Sequence, residues 1–138
     1  VSYQRRAVQN LLYRDYKTIK INRYKYFKEL KNSKIVYSPF GLGEITLKDF
    51  EVFLTGGILY KPNMGHMKTW PNFFIENNTY ISHKLNLDDF LSTIQHTLDN
   101  YNKLIEIAHN AQNLYKKYNI YHSDNYLFCE YFSKIIRF

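Results

Sequence analysis

From Ser38 to Pro62 the chain reads SPFGLGEITLKDFEVFLTGGILYKP, and most of the residues able to do chemistry lie in or just beyond this stretch. Gly41 and Gly43 carry no side chain to hold a ligand away from the backbone, so amides in this loop can approach an anion closely. The following residues read as a helix from Thr46, and the first amides of a helix have no acceptor of their own and point at whatever precedes it, an anion included. Lys48 and Lys61 are cations suited to neutralising a diphosphate, although exposed lysines in such places are usually only solvated. Glu51 falls on the helix stripe away from Leu47, Phe50 and Leu54, and helical side chains lean toward the N-terminus, so its carboxylate can reach back to the loop. Glu44 reads equally as a ligand contact and as a solvated loop residue. His66, in PNMGHMKTW, is placed to touch a sugar or phosphate and reads equally as a surface histidine. Arg5 and Arg6 are further cations for the same anion, more simply a solvated pair.

Other chemistries lack their parts. The five histidines form no HExxH or other close ligand pair, and with a single cysteine no metal site is expected. Cys129 has no activating neighbour and reads as a small helix residue in a reducing compartment. No apolar run reaches the length of a membrane span and no signal-peptide core is present, so the expected place is the cytoplasm, with a peripheral membrane association left open. A net charge of +7 and a pI near 9.4 suit a phosphate-bearing partner. The same Lys, Asn, Ile and Tyr abundance is what an AT-rich coding sequence yields, so composition selects no partner. The run YRDYKTIKINRYKYFKELK interleaves bases and aromatics as single-strand nucleic-acid binders do, but Tyr24, Phe27 and Leu30 share one helical face and read as core, so no nucleic acid is expected.

The elements that must position these residues follow from pattern. A chain of 138 residues fits one domain with a real core. Residues 3–16 read as a short helix or lead-in, 22–32 as an amphipathic helix, and KIVYS (34–38) as a buried strand. Thr46 with Asp49 makes a capping-box-like start to a helix that Gly56-Gly57 ends. ILYK (58–61) and TYIS (79–82) are further strands, and helices are expected from Asn86 to about Asn100, from 102 to 118, and from Ser123 to the end, the last burying Tyr126, Leu127, Tyr131 and Ile135. Strand, helix, strand with tight connections predicts parallel strands, and loops 39–45 and 62–69 then leave adjacent carboxyl ends, where open parallel sheets bind ligands.

A strand ending in SPFG, the loop GLGE, the helix TLKDFE, Gly-Gly, and a strand ending in KP resemble the nucleotide-sugar half of a GT-B glycosyltransferase, in the group related to spore-coat CgeB-type enzymes and the glycosyl transferase group 1 domains. NNTYISHKLNLDDFLSTIQHTLDNYNKLIEIAHNAQNLYKKY extends the resemblance, which covers Arg23 to Tyr118. It implies a Rossmann-like α/β fold with residues 1–22 as lead-in, 23–118 as nucleotide-sugar-binding core and 119–138 as C-terminal helix. It implies transfer of a sugar from a nucleotide diphosphate to a glycan, lipid or protein acceptor, with Glu51 accepting hydrogen bonds from the ribose hydroxyls. Glu51 matches the second carboxylate of the Glu-x7-Glu pair of many retaining members, whereas the position for the first is Gly43, one residue before Glu44. No Asp-x-Asp occurs to anchor the metal of the other large glycosyltransferase fold, and no cofactor beyond the donor is expected. The resemblance also implies an acceptor-binding half and further strands upstream of Val1. A non-catalytic interaction module of the same fold and a basic nucleic-acid-binding domain are the alternatives.

Overall fold

Short β-branched runs alternating with amphipathic helices build an α/β domain, seen in a computed structural model that describes residues 3–12, 14, 21–119 and 124–136. Three strands, β1 (Ile35–Tyr37), β2 (Ile58–Pro62) and β3 (Ile81–His83), form a parallel sheet with β2 in the centre. Ile35 pairs with Ile58 and Tyr37 with Tyr60; Tyr60 pairs with Ile81 and Pro62 with His83, so the three carboxyl ends lie together. Parallel pairing demands crossovers. The first is α3 (Leu47–Thr55) and the second is the irregular run 63–80.

Side chains alternate across the strands and give the sheet two cores. Ile58, Tyr60 and Ile81 pack with Val8 and Leu12 of α1 (Tyr3–Leu12), Phe90 and Ile94 of α4 (Phe90–Asp99), and Ile107 and Ala108 of α5 (Tyr101–Asn119). On the other face, Val36 and Leu59 pack with Leu30 of α2 (Arg23–Lys31), Val52 and Phe53 of α3, Ala111 of α5, and Met64, Phe74 and Tyr80. Helices therefore cover both faces, as a small parallel sheet requires. α6 (Asp124–Ile136) is held through Trp70, which stacks on Tyr131 at 5.4 Å and meets Phe128 at 5.5 Å.

Gly56 closes α3 with φ of 79°, a left-handed cap whose N–H donates to the Val52 carbonyl at 3.0 Å. Gly57 must stay small, because a Cβ there would stand 3.1 Å from the Ser33 carbonyl oxygen.

Several expected faces are turned. α3 buries Asp49, Val52 and Phe53, while Leu47 is 82% exposed and Leu54 also faces out. The helix is rotated because the aromatic core beneath it takes Phe53, which meets Phe73, Phe74 and Tyr115, and a buried lysine takes Asp49. In α2, Leu30 is buried but Tyr24 is 94% and Phe27 41% exposed, so the expected shared core face is not formed. Tyr26 points inward instead. Asn86 does not cap α4: Asp88 N–H donates to Asn86 Oδ1 at 3.3 Å, Leu87 takes φ of 68°, and the helix begins after Asp89, whose carboxylate accepts the Lys84 N–H at 2.9 Å. β3 starts two residues later than expected because Thr79 is committed to a turn, donating to the Phe73 carbonyl at 2.6 Å. Tyr131 and Ile135 of α6 are exposed, and the side chains of Tyr126 and Leu127 lie outside the described residues. Of the short helix or lead-in expected over residues 3–16, Tyr3–Leu12 form α1, and residues 13, 15 and 16 lie outside the described residues. Among the described residues no helix is long and apolar enough to cross a membrane.

Candidate functional site at the strand carboxyl ends

Residues 39–46 leave β1 and residues 63–68 leave β2, so the two loops rise side by side from neighbouring carboxyl ends. Below the first loop, Ser38 continues the pairing by donating its N–H to the Tyr60 carbonyl at 2.8 Å, and its Oγ lies 3.1 Å from the Thr46 hydroxyl. Asp49 reaches back to accept the Thr46 N–H at 2.9 Å, one half of the expected capping box. The same Oδ2 accepts Lys61 Nζ at 2.7 Å, and both side chains are 0% exposed. Lys61 also donates to the Glu44 carbonyl at 2.8 Å and lies 4.6 Å over the Phe74 ring. Burial pulls its pKa below the usual lysine value, while Asp49 opposes that fall.

Above this pair, Glu44 Oε1 stands 3.9 Å from His66 Nε2, with both side chains about half exposed, and the Phe40 ring meets the imidazole edge-on at 6.2 Å. The turn carrying His66 is fixed from three sides. Asn63 Oδ1 accepts the Gly65 N–H at 2.8 Å, the Met64 N–H donates to the Tyr80 hydroxyl at 3.0 Å, and the Met67 N–H donates to the Met64 carbonyl at 2.9 Å. A side chain at Gly43 would meet nothing within 4 Å, so the space above the loop is open.

Glu51 and Lys48 lie on another side of α3. Glu51 accepts a hydrogen bond from the Tyr26 hydroxyl at 2.7 Å, which ties α2 to α3 and, with burial, raises the tyrosine pKa. Lys48 is half-buried, and burial lowers its pKa; Arg5 on α1 pushes the same way, and Glu51 and Asp49 oppose. Burial raises the pKa of the Tyr37 hydroxyl, and the Arg5 charge opposes that rise.

The fold thus gathers Gly41, Gly43, Glu44, Lys61 and His66 around one pair of loops, with Lys48 and Glu51 along the helix that follows. Lys61 has no route to solvent and supports the loop from beneath. Periodicity put Leu47, Phe50 and Leu54 inward and so hid Asp49 as a buried ion; its spacing from Thr46 was the only local signal. Tyr26 carried no signal at all.

A second group sits on the opposite face. Tyr37, Tyr60, His83 and Phe90 bring their rings within 5.0 to 5.9 Å of one another. His83 Nδ1 lies 2.7 Å from the Lys84 carbonyl and so carries the proton, which leaves Nε2 buried with no partner among the described residues. The Tyr37 hydroxyl is also buried with no partner among the described residues. Burial lowers the His83 pKa. Among the described residues no cluster of three or more His, Cys, Asp or Glu gathers to hold a metal. No protein-family profile, curated protein or solved structure matches the chain, so geometry and chemistry carry the functional reading alone.

Proposed function

We propose that this chain is the donor-binding, C-terminal part of a GT-B glycosyltransferase, with a Rossmann-like sheet and a nucleoside diphosphate sugar as its ligand. The observation that carries the reading is the meeting of Glu44 and His66, 3.9 Å apart, on loops from the carboxyl ends of adjacent parallel strands. That is where open α/β sheets hold nucleotides. In this reading the diphosphate lies against the amides of the Gly41–Gly43 loop and the start of α3, with Lys48 beside it. Glu51 takes the ribose hydroxyls, exchanging or sharing its bond with Tyr26, and Glu44 with His66 faces the sugar. The acceptor, a glycan, lipid or protein, and the group that activates it belong to a further half of the parent protein.

Calorimetric titration of nucleoside diphosphates and their sugars tests this directly. Glu51→Ala is expected to cost about 1–3 kcal/mol in nucleotide affinity, the size of a lost charge-assisted hydrogen bond, and, because it also removes the acceptor of the Tyr26 hydroxyl, to lower the melting temperature while leaving the chain folded. Equal affinity in both proteins removes Glu51 from the site. Because closure between two halves supplies orientation and water exclusion, the 138-residue chain by itself is expected to transfer no sugar to simple acceptors. Turnover by the isolated chain overturns the two-part reading.

The exposure of Tyr24 and Phe27 favours a second reading, since α2 presents both rings beside Arg23, Lys25, Lys28 and Lys31. Aromatics stack on bases while cations follow the backbone of a single strand. Binding of single-stranded RNA that weakens steeply with salt and is lost in Tyr24→Ala supports it; salt-independent or absent binding excludes it.

A further inference from the structure

We infer that Lys61 is a positioning residue, whose ammonium group pins the Glu44 loop through the Glu44 carbonyl and thereby sets Glu44 against His66. The inference rests on the donor-site reading for its functional consequence, and on geometry alone for the loop.

Lys61 is the last but one residue of β2 and points to the α3 face of the sheet, directly beneath the loop. Its ammonium makes two hydrogen bonds, to Asp49 Oδ2 at 2.7 Å and to the Glu44 carbonyl at 2.8 Å, and lies 4.6 Å over the Phe74 ring. A fully buried ammonium is expensive. A carboxylate alone would compensate the charge, yet this lysine makes a second strong bond to a backbone carbonyl, in a loop whose own backbone closes through Gly41 N–H to the Gly43 carbonyl at 2.9 Å. Asp49 completes the device. The same oxygen that holds Lys61 also caps Thr46, so the end of the loop, the start of α3 and the end of β2 meet at one buried charge pair. The Phe40 ring, 5.7 Å from the ammonium, lies between this pair and His66. Glu44 and His66 stand on separate loops 3.9 Å apart, so what fixes the Glu44 backbone bears directly on the pair.

The test separates loop positioning from mere stability. Asp49→Asn keeps an oxygen for the Thr46 amide, and combined with Lys61→Met it leaves no buried charge, an exchange that is often neutral for stability. In the folded double variant the Gly41 amide should exchange with deuterium about tenfold faster or more, as expected when a bond from a charged donor to the loop is lost. Amides of the sheet, Ser38 and Ile58 among them, should keep their protection. Asp49→Asn alone, which keeps the Lys61 amine as donor to the Glu44 carbonyl, should leave Gly41 slower than it is in the double variant once both rates are referred to each variant's own global stability. UDP, used as the nucleotide probe, should bind the double variant about tenfold more weakly or worse. Unchanged Gly41 exchange in the folded double variant overturns the inference. If the double variant does not fold, Lys61→Gln in the Asp49→Asn background, one bond too short to reach the carbonyl, is read in the same way. Failure of every nucleotide to bind the unmodified chain sinks the donor reading and leaves the loop result to stand or fall on the exchange data.

Discussion

Lys61 and His83 are both basic side chains buried at strand ends, on opposite faces of one sheet, and the fold treats them in opposite ways. Lys61 has a carboxylate at 2.7 Å and a carbonyl at 2.8 Å and keeps an ion pair in the core. Among the described residues His83 has no carboxylate in hydrogen-bonding reach; one nitrogen satisfies the Lys84 carbonyl, the other has no partner there, and burial among Tyr37, Tyr60 and Phe90 disfavours its charged form. A buried base stays charged only where the chain delivers an acceptor to it, and otherwise remains neutral. The charged pair lies under the candidate ligand loop and the neutral cluster on the far face, so the fold confines ionic rigidity to the side where geometry has to be held.

The largest effect should come from breaking the charged side. Lys61→Met alone strands the Asp49 carboxylate, 0% exposed, with the Thr46 amide as its remaining partner. The expected loss is about 3–5 kcal/mol in urea denaturation, and adding Asp49→Asn should restore most of it. A single variant as stable as the parent removes the pair from the account of the fold.

The neutral side should answer to pH instead. Because the His83 pKa is lowered in the folded chain from its ordinary 6.5, the unfolded chain binds a proton below that pH while the folded chain resists it. Stability should therefore be full above about pH 6.5 and fall as pH drops through the interval down to the lowered native value. His83→Gln should flatten that part of the profile in denaturation at stepped pH. An unchanged slope assigns the acid sensitivity to another group.

Smallest is Tyr37→Phe. It deletes a buried hydroxyl that has no partner among the described residues, so stability should stay level or rise, by no more than about 1 kcal/mol, in the same denaturation assay. A clear loss shows that the hydroxyl is bonded in solution and that the two faces differ less than described.

Local signals carried the order of the elements, the stop of α3 at Gly56-Gly57 and the side of the sheet on which the glycine loop emerges, because caps, left-handed turns and β-branched runs act over a few residues of chain. The same signals put Glu44 and His66 on neighbouring strand ends, since parallel pairing follows from strand, helix, strand. They did not orient α2 or α3. Amphipathic spacing assigns the inward face to the most apolar stripe, Leu47, Phe50 and Leu54, and in α3 only Phe50 of the three packs against the core while Leu47 and Leu54 are exposed. What turned the helix is a contact that no local window contains: Lys61, twelve residues downstream, arrives under Asp49 only after the crossover is complete and β2 is paired in register with β1. Likewise Tyr24 and Phe27 matched a core pattern, but α2 is turned so that Leu30 is buried and Tyr26 packs beside it, which leaves Tyr24 and Phe27 facing out. The sequence by itself determined which pieces form and in what order they run. Which faces they bury, and that Lys61 is a buried support and not an exposed phosphate contact, was decided by tertiary structure, because burying a charge depends on where its counter-charge lies in space and not on how far away it lies along the chain.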